Sequence, residues 1–212
     1  MVQSFWKLFG LHDDPGDQFA GFERVLDCDP LVNFSFKVVY TRNDHLTNEG
    51  IPCADICRDW LQRYMSSQER TLFVANTGAH TTGAEVFQRD FDAFVDLMDT
   101  IRHGNDIVFF RTTVPGHVHC GNHHIPLSNH SQFEATSQLS WNKFELYNEY
   151  ARQRVRNNSD WFELNVNPMT VLRPDGHRPP RDCLHYMLPG PPDWWNHLMY
   201  SNLVDIQEPN GN

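Results

Sequence analysis

Asp182 and His185 are the two residues in this sequence whose types and spacing most directly invite chemistry. A carboxylate three residues before an imidazole, on a Pro-flanked turn, can reach the ring Nδ1–H. There it fixes the tautomer and stabilises the imidazolium that forms when the other nitrogen takes a proton. That is the base half of a hydrolytic triad, although the spacing alone equally describes an incidental pair on a surface turn. The residues that follow, Leu188-Pro189-Gly190 and Trp194-Trp195, suggest a rigid turn feeding a helix. The apolar side of that helix, Trp194 and Leu198 with Trp195 and Met199 beside them, would clamp the turn to a core.

Two other groups have chemical potential. His117-Val118-His119-Cys120-Gly121-Asn122-His123-His124 contains imidazole and thiolate at short spacing, and His119, Cys120 and His123 can converge on a zinc or copper ion. The spacing matches no closed zinc pattern, and histidines in a polar loop are commonly solvated, so no metal and no cofactor is assigned. A metalloesterase built on this cluster ranks last among the functional readings. Arg111 ends an apolar run and can hold a carboxylate or sugar hydroxyls bidentately; a structural ion pair accounts for it equally well.

The stretch from Met169 through Pro174-Asp175-Gly176-His177, then Asp182-Cys183-Leu184-His185 and Leu188-Pro189-Gly190 to Trp195-Asn196, resembles the C-terminal signature of the PC-esterase, or trichome birefringence-like, proteins. The resemblance covers most of the chain, with the middle matched in scattered blocks. It implies an SGNH-type serine acyl-enzyme, many of whose members O-acetylate cell-wall or surface polysaccharides. The implied roles are Asp182 orienting His185 and His185 acting as general base and then acid. Asn76-Thr77-Gly78-Ala79-His80 resembles the family's Asn-Thr-Gly-His block, which implies that the Gly78 N–H and the Asn76 amide stabilise the oxyanion. An ordinary strand-to-helix turn also fits those residues. Arg111 through His117 resembles a strand-end block near the family's cleft, so Arg111 and His117 are expected to bind substrate. The implied partner is a carbohydrate or acyl-ester substrate, and the implied location is the secretory pathway or Golgi lumen.

One block of the family is absent. No Gly-Asp-Ser occurs in the sequence, and no Gly-x-Ser-x-Gly elbow replaces it. The family places a helix directly after its nucleophile, and Met1-Val2-Gln3-Ser4-Phe5-Trp6 resembles the interior of that helix. The expectation is therefore one SGNH-like domain over residues 1–212, incomplete at its N-terminus, with the first strand missing and no acyl-transfer activity as written. Ser4 lies within the helical pattern and is not assigned the nucleophile's role. Loss of a central strand would expose apolar edges, so low stability or poor solubility is expected. The alternative is a non-catalytic relic or carbohydrate-binding module that keeps the cleft.

The elements that must position these residues follow from hydrophobic periodicity. Val2, Phe5, Trp6 and Phe9 read as an amphipathic helix, and Phe34, Phe36, Val38 and Tyr40 as one face of a strand. Ile51 to Met65 reads as a short helix. Thr71–Ala75 and Ile107–Phe110 read as buried strands emptying into polar loops at Asn76 and Arg111, where α/β proteins place binding groups. Phe87, Phe91, Phe94, Met98 and Ile101 form a core stripe. Trp141, Phe144, Tyr147 and Ala151 mark another helix, and Trp161 to Val166 a further strand. The alternation predicts a three-layer α/β/α sandwich with a mostly parallel sheet. Most of the tryptophans are expected in the core, with Trp194 and Trp195 the pair nearest the site and also best read as core.

A formal charge of -10 argues against nucleic acid or an anionic membrane as partner, and the 12 histidines would offset much of it in a mildly acidic lumen. No signal peptide is expected from the sequence, and it holds no apolar run long enough to span a bilayer. Asn-x-Ser sequons at Asn33, Asn129 and Asn157 permit passage through a secretory pathway. The five cysteines, Cys28, Cys53, Cys57, Cys120 and Cys183, are odd in number and irregular in spacing and define no disulfide framework. Cys53 and Cys57, one helical turn apart, can bind metal or pair elsewhere, and buried free thiols fit as well.

Overall fold

The structure, a computed structural model, describes residues 22–27, 35–41, 45–47, 60–178 and 182–207. In chain order these form β1 (Phe22–Asp27), β2 (Ser35–Tyr40), α1 (Trp60–Ser66), β3 (Leu72–Ala75), α2 (Ala84–Ile101), β4 (Ile107–Arg111), α3 (Phe144–Val155), β5 (Trp161–Leu164), α4 (Asn167–Thr170), β6 (His177–Arg178), β7 (Asp182–Tyr186) and α5 (Pro191–Gln207). The fold is α/β. Strands β3, β4 and β5 are parallel in that spatial order, β1 pairs with β2 antiparallel, and β6 pairs with β7 antiparallel.

Strand β4 organises the sheet because its sequence is apolar at consecutive positions, as burial on both faces requires. Val108 and Phe110 pack into one core with α2 and α3, whereas Ile107 and Phe109 pack into a second core with α5. Helix α2 supplies the first core with Phe87, Phe91, Phe94 and Met98, all essentially without solvent contact. The Phe91 ring meets Phe110 edge-on at 4.9 Å and Phe94 meets Trp161 at 5.7 Å. Phe87 stacks on Tyr147 of α3 at 4.5 Å. On the opposite face, Trp195 and Met199 of α5 close over Phe109 and Leu164. Helices therefore cover both sides of the parallel sheet, and the Phe87–Met98 stripe is core packing.

Several expectations need adjustment. The Val2–Phe9 helix and most of the Ile51–Met65 helix lie outside the described residues; Trp60 and Tyr64 fall on α1. Strand β3 is less buried than its apolar run predicts: Leu72 is 40% exposed and Ala75 alone is fully covered. The reason is position, since among the described residues β3 has a partner on one side and β4 on both. Strand β5 stops at Leu164, short of Val166. The Asp182 stretch, expected as a turn, is mainly a strand.

Candidate active site

In a regular strand, residues i and i+3 project to opposite faces. Asp182 nevertheless reaches His185, because its carboxylate folds back along β7. Oδ2 lies 2.8 Å from His185 Nδ1, and Oδ1 accepts the N–H groups of Leu184 at 3.0 Å and His185 at 2.9 Å. The irregular register between β6 and β7 sits opposite this bend. Burial pushes the Asp182 carboxyl upward, but the His185 and Leu184 N–H groups and the His185 imidazole outweigh it and leave the pKa below its ordinary value. Since a carboxylate accepts, Nδ1 carries the proton and Nε2 presents a lone pair. The His185 side chain is 79% exposed, so that lone pair is open to solvent and can take a proton.

Behind β7 the strand is anchored at many points. Cys183 forms a disulfide with Cys120, and its carbonyl accepts the His117 N–H at 2.9 Å. Tyr186 donates its hydroxyl to the Pro115 carbonyl at 2.7 Å, and Met187 N–H donates to Gly176 O at 2.8 Å. Gly116 lies so close that a Cβ there would collide with the Cys183 carbonyl and the Trp141 ring. Beyond β7, a cis Leu188–Pro189 peptide and a 2.6 Å bond from Gly190 N–H to Asp193 Oδ2 lead into α5. The disulfide overturns the suggestion that His119, Cys120 and His123 gather round an ion, because Cys120 has no thiolate to offer. No group of three potential ligand side chains is found among the described residues.

Asn76, just beyond β3, and Arg111, at the end of β4, hold one another. The Asn76 Nδ2 donates to Arg111 O at 2.8 Å and Thr113 Oγ1 at 2.9 Å, and its Oδ1 accepts from Arg111 Nη2. Both amide hydrogens are thus engaged. Gly78 has φ +117°, a region that suits glycine, and a Cβ would sit 3.2 Å from Thr113 Oγ1 and 3.3 Å from Tyr147 Cδ2. Among the described residues nothing accepts the Gly78 N–H.

The Arg111 guanidinium lies 4.9 Å over the Trp195 ring and donates to Thr112 O at 3.2 Å. Among the described residues its hydrogen bonds go to an amide and a carbonyl and not to a carboxylate, and burial lowers its pKa to about 10. His117 is buried: Nε2 lies 2.8 Å from Val171 O, and Nδ1 2.8 Å from His177 Nε2. Burial pulls His117 down, to about 4.

The expected residues therefore fall into two direct pairs and a packed link. Asp182 touches His185, and Asn76 touches Arg111. Packing connects the two pairs, with Arg111 on Trp195 and Trp195 edge-on to Tyr186 at 5.9 Å. His117 stands on the buried side of β7, where His177 and Tyr186, singled out by no spacing rule, complete its surroundings. Trp195 is buried as expected, but Trp194 is 60% exposed, counter to its core reading.

A model of the PC-esterase family, described as a GDSL/SGNH-like acyl-esterase family found in Pmr5 and Cas1p, matches residues 56–202. The chain belongs to the PC-esterase family. Curated relatives of this PC-esterase chain include protein trichome birefringence-like 25 of Arabidopsis thaliana, 34% identical over 46% of the chain and 28% of that protein. Xyloglucan O-acetyltransferase 1 of Arabidopsis thaliana is 45% identical over 19% of the chain and 14% of that protein. Protein trichome birefringence-like 20 of the same organism is 28% identical over 61% of the chain and 31% of that protein. The matches thus span less than a third of each of these relatives. No solved structure matches the chain. No helix among the described residues is long and apolar enough to cross a membrane.

Proposed function

We propose that this chain carries the base half of a serine-dependent O-acyl transfer or ester-hydrolysis site acting on a carbohydrate, acetyl being the favoured acyl group. The observation that carries the reading is the Asp182–His185 pair, with the carboxylate on Nδ1 and Nε2 open to solvent. In that mechanism Asp182 fixes the tautomer, and His185 accepts the proton of a serine hydroxyl as that oxygen attacks the acyl carbon. His185 then returns the proton to the leaving alkoxide, and a second hydroxyl or water repeats the cycle on the acyl-enzyme. The Gly78 N–H, which has no acceptor among the described residues, is the preferred oxyanion donor. Asn76 would join it by releasing Thr113 Oγ1 or Arg111 O. Arg111 would serve substrate binding with its remaining N–H groups; His117, turned away from solvent, would contribute from behind β7.

Family membership and the xyloglucan O-acetyltransferase relative support an acetyl group and a polysaccharide acceptor. The covalent step is assigned to no residue of the 212, because they contain no Gly-Asp-Ser, and the chain as it stands is proposed to be silent in acyl transfer. The other reading is a non-catalytic carbohydrate-binding protein, favoured by the same missing block and by the exposed Trp194 ring. Sequencing the native transcript upstream of the Met1 codon separates the two. An in-frame Gly-Asp-Ser supports the acyl-transfer site, and translation that opens at Met1 leaves binding as the function.

A further inference from the structure

The imidazoles of His117 and His177 have more hydrogen bonds than two neutral rings have protons. The Val171 carbonyl can only accept, so His117 Nε2, 2.8 Å away, must carry a hydrogen. The His185 carbonyl can only accept, so His177 Nδ1, 3.0 Å away, must carry another. A neutral imidazole has one N–H, and both are now used. The two remaining nitrogens, His117 Nδ1 and His177 Nε2, face each other at 2.8 Å, where two bare lone pairs would repel. Among the described residues no neighbour offers the missing hydrogen: the Tyr186 hydroxyl is 3.5 Å from His117 Nδ1, and its own proton goes to Pro115 O at 2.7 Å.

We infer that His117 and His177 share one extra proton in a buried N–H···N bridge, and that this singly charged clasp makes His177 a positioning residue that holds the backbone of His185. The clasp joins the segment after β4, the Val171 carbonyl just past α4, and the β6–β7 pair.

The charged and titratable groups around it act in opposite directions. Asp175 and Asp182 favour the proton, although Asp175 is ion-paired with Arg173 at 2.9 Å and Asp182 is bound to His185. The His123 and His185 imidazoles oppose it, and the Tyr186 phenol, 4.1 Å from the His177 ring, is held neutral by burial. The Phe133 ring packs edge-on against His117 at 5.4 Å. Burial opposes the charge most strongly, since His177 has no solvent contact and His117 almost none, and it pulls both rings down, His117 to about 4. The 2.8 Å N···N approach opposes that shift and decides the matter, because both outer nitrogens face carbonyls and two bare lone pairs would repel at that distance. A proton that the bond geometry requires and burial resists is one that pH can remove. Its loss sets lone pair against lone pair, so one ring must turn and give up Val171 O or His185 O. The Cys120–Cys183 disulfide and the His117 N–H to Cys183 O bond keep β7 attached, so a turn of His177 frees the backbone at His185 alone.

The bearing of the clasp on acyl transfer rests on the function proposed above; the proton count does not. Nitrogen-resolved NMR of the two imidazoles in the 212-residue chain reads it directly. Three of the four ring nitrogens should be protonated at pH 6, and the His185 and Tyr186 amide resonances should shift together when the third proton leaves. Two protonated and two bare nitrogens from pH 5 to 8 would overturn it.

Stability gives a second test through His177→Asn, which keeps a donor for His185 O and removes the bridge. Below the ordinary histidine value of about 6.5, the unfolded chain holds two protons on these rings and the clasp one, so stability rises with pH. Above it the unfolded chain holds none and the clasp still one, so stability falls until the clasp releases its proton. In His177→Asn the remaining His117 holds one proton unfolded and none folded below that pH, which gives the same slope as wild type, so the thermal midpoint advantage of wild type should be level up to about pH 6.5 and shrink by pH 8. An advantage that rises to about pH 6.5 and is flat above it means a neutral pair and contradicts the clasp. Should the variant not fold, the nitrogen count decides alone. If the protein translated from the complete native transcript proves unreactive while three nitrogens are protonated, the acyl-transfer reading fails and the clasp stands.

Discussion

Asp182 binds His185 twice, Oδ2 to the imidazole Nδ1 at 2.8 Å and Oδ1 to the backbone N–H at 2.9 Å. A single carboxylate thereby sets both the ring tautomer and the local path of β7. Replacing it by Asn keeps an oxygen for the backbone and lets the amide present N–H to the ring, which favours the wrong tautomer. In a protein that holds the nucleophile, Asp182→Asn should lower acyl transfer on the order of 10²- to 10⁴-fold while changing KM little. Steady-state kinetics on an acetyl ester checks this.

The same carboxylate gives an acid limit. Its folded pKa lies below the unfolded value, so its contribution to stability is fully present above about pH 4 and disappears as pH falls through the folded value. Denaturation midpoints measured from pH 5 to 2 should drop more steeply in wild type than in Asp182→Asn.

The Cys120–Cys183 disulfide closes a loop with a sequence separation of 63 and ties the segment after β4 to the strand that carries His185. On chain-entropy grounds its loss removes about 4 kcal/mol, within a usual span of about 2–5 kcal/mol. Cys120→Ser with Cys183→Ser should show this in urea denaturation, and wild type in reductant should move to the same midpoint.

Adjacent tryptophans should behave in opposite ways. Trp195 packs on Phe109 and Leu164, lies beneath Arg111, and donates its indole N–H to Thr170 Oγ1 at 2.8 Å. Trp195→Ala should destabilise by about 3–5 kcal/mol. Trp194→Ala, on the exposed side, should stay within about 0.5 kcal/mol of wild type. If Trp194 serves a sugar, its loss should instead weaken oligosaccharide binding, read by calorimetry.

Gly116→Ala tests how tightly β7 is seated. The new Cβ would meet the Cys183 carbonyl, which is backbone and cannot swing aside, and the Trp141 ring. A loss of about 1–3 kcal/mol is expected, with displaced His185 and Tyr186 amide resonances.

Much of this arrangement was legible in the sequence where local pattern and burial agree. The Phe87–Met98 stripe and the apolar run of β4 announce their cores directly, and Asp182 with His185 meets as its spacing suggests. Arg111 shows the limit of such reasoning: its residue type suggests an ion pair or a ligand, yet its observed partners are an amide, a carbonyl and an indole. Trp194 and Trp195 straddle the edge of the helical stripe, and a 100° step between neighbours sends one to the core and the other to solvent. The least legible features are the long-range ones. Cys120 meets Cys183, and His117 meets His177, only after β4, α3 and β5 have folded the chain back, and no local periodicity encodes those meetings.

The central claim is that His185 is the general base of a serine acyl-transfer site. Its most direct test is acylation of the protein translated from the complete native transcript, followed by intact and peptide mass spectrometry after rapid mixing with an activated acetyl ester. An acetyl group should appear on the serine of a Gly-Asp-Ser block, formed at least about 10²-fold more slowly in His185→Ala. An adduct that forms at an unchanged rate without His185 would contradict it.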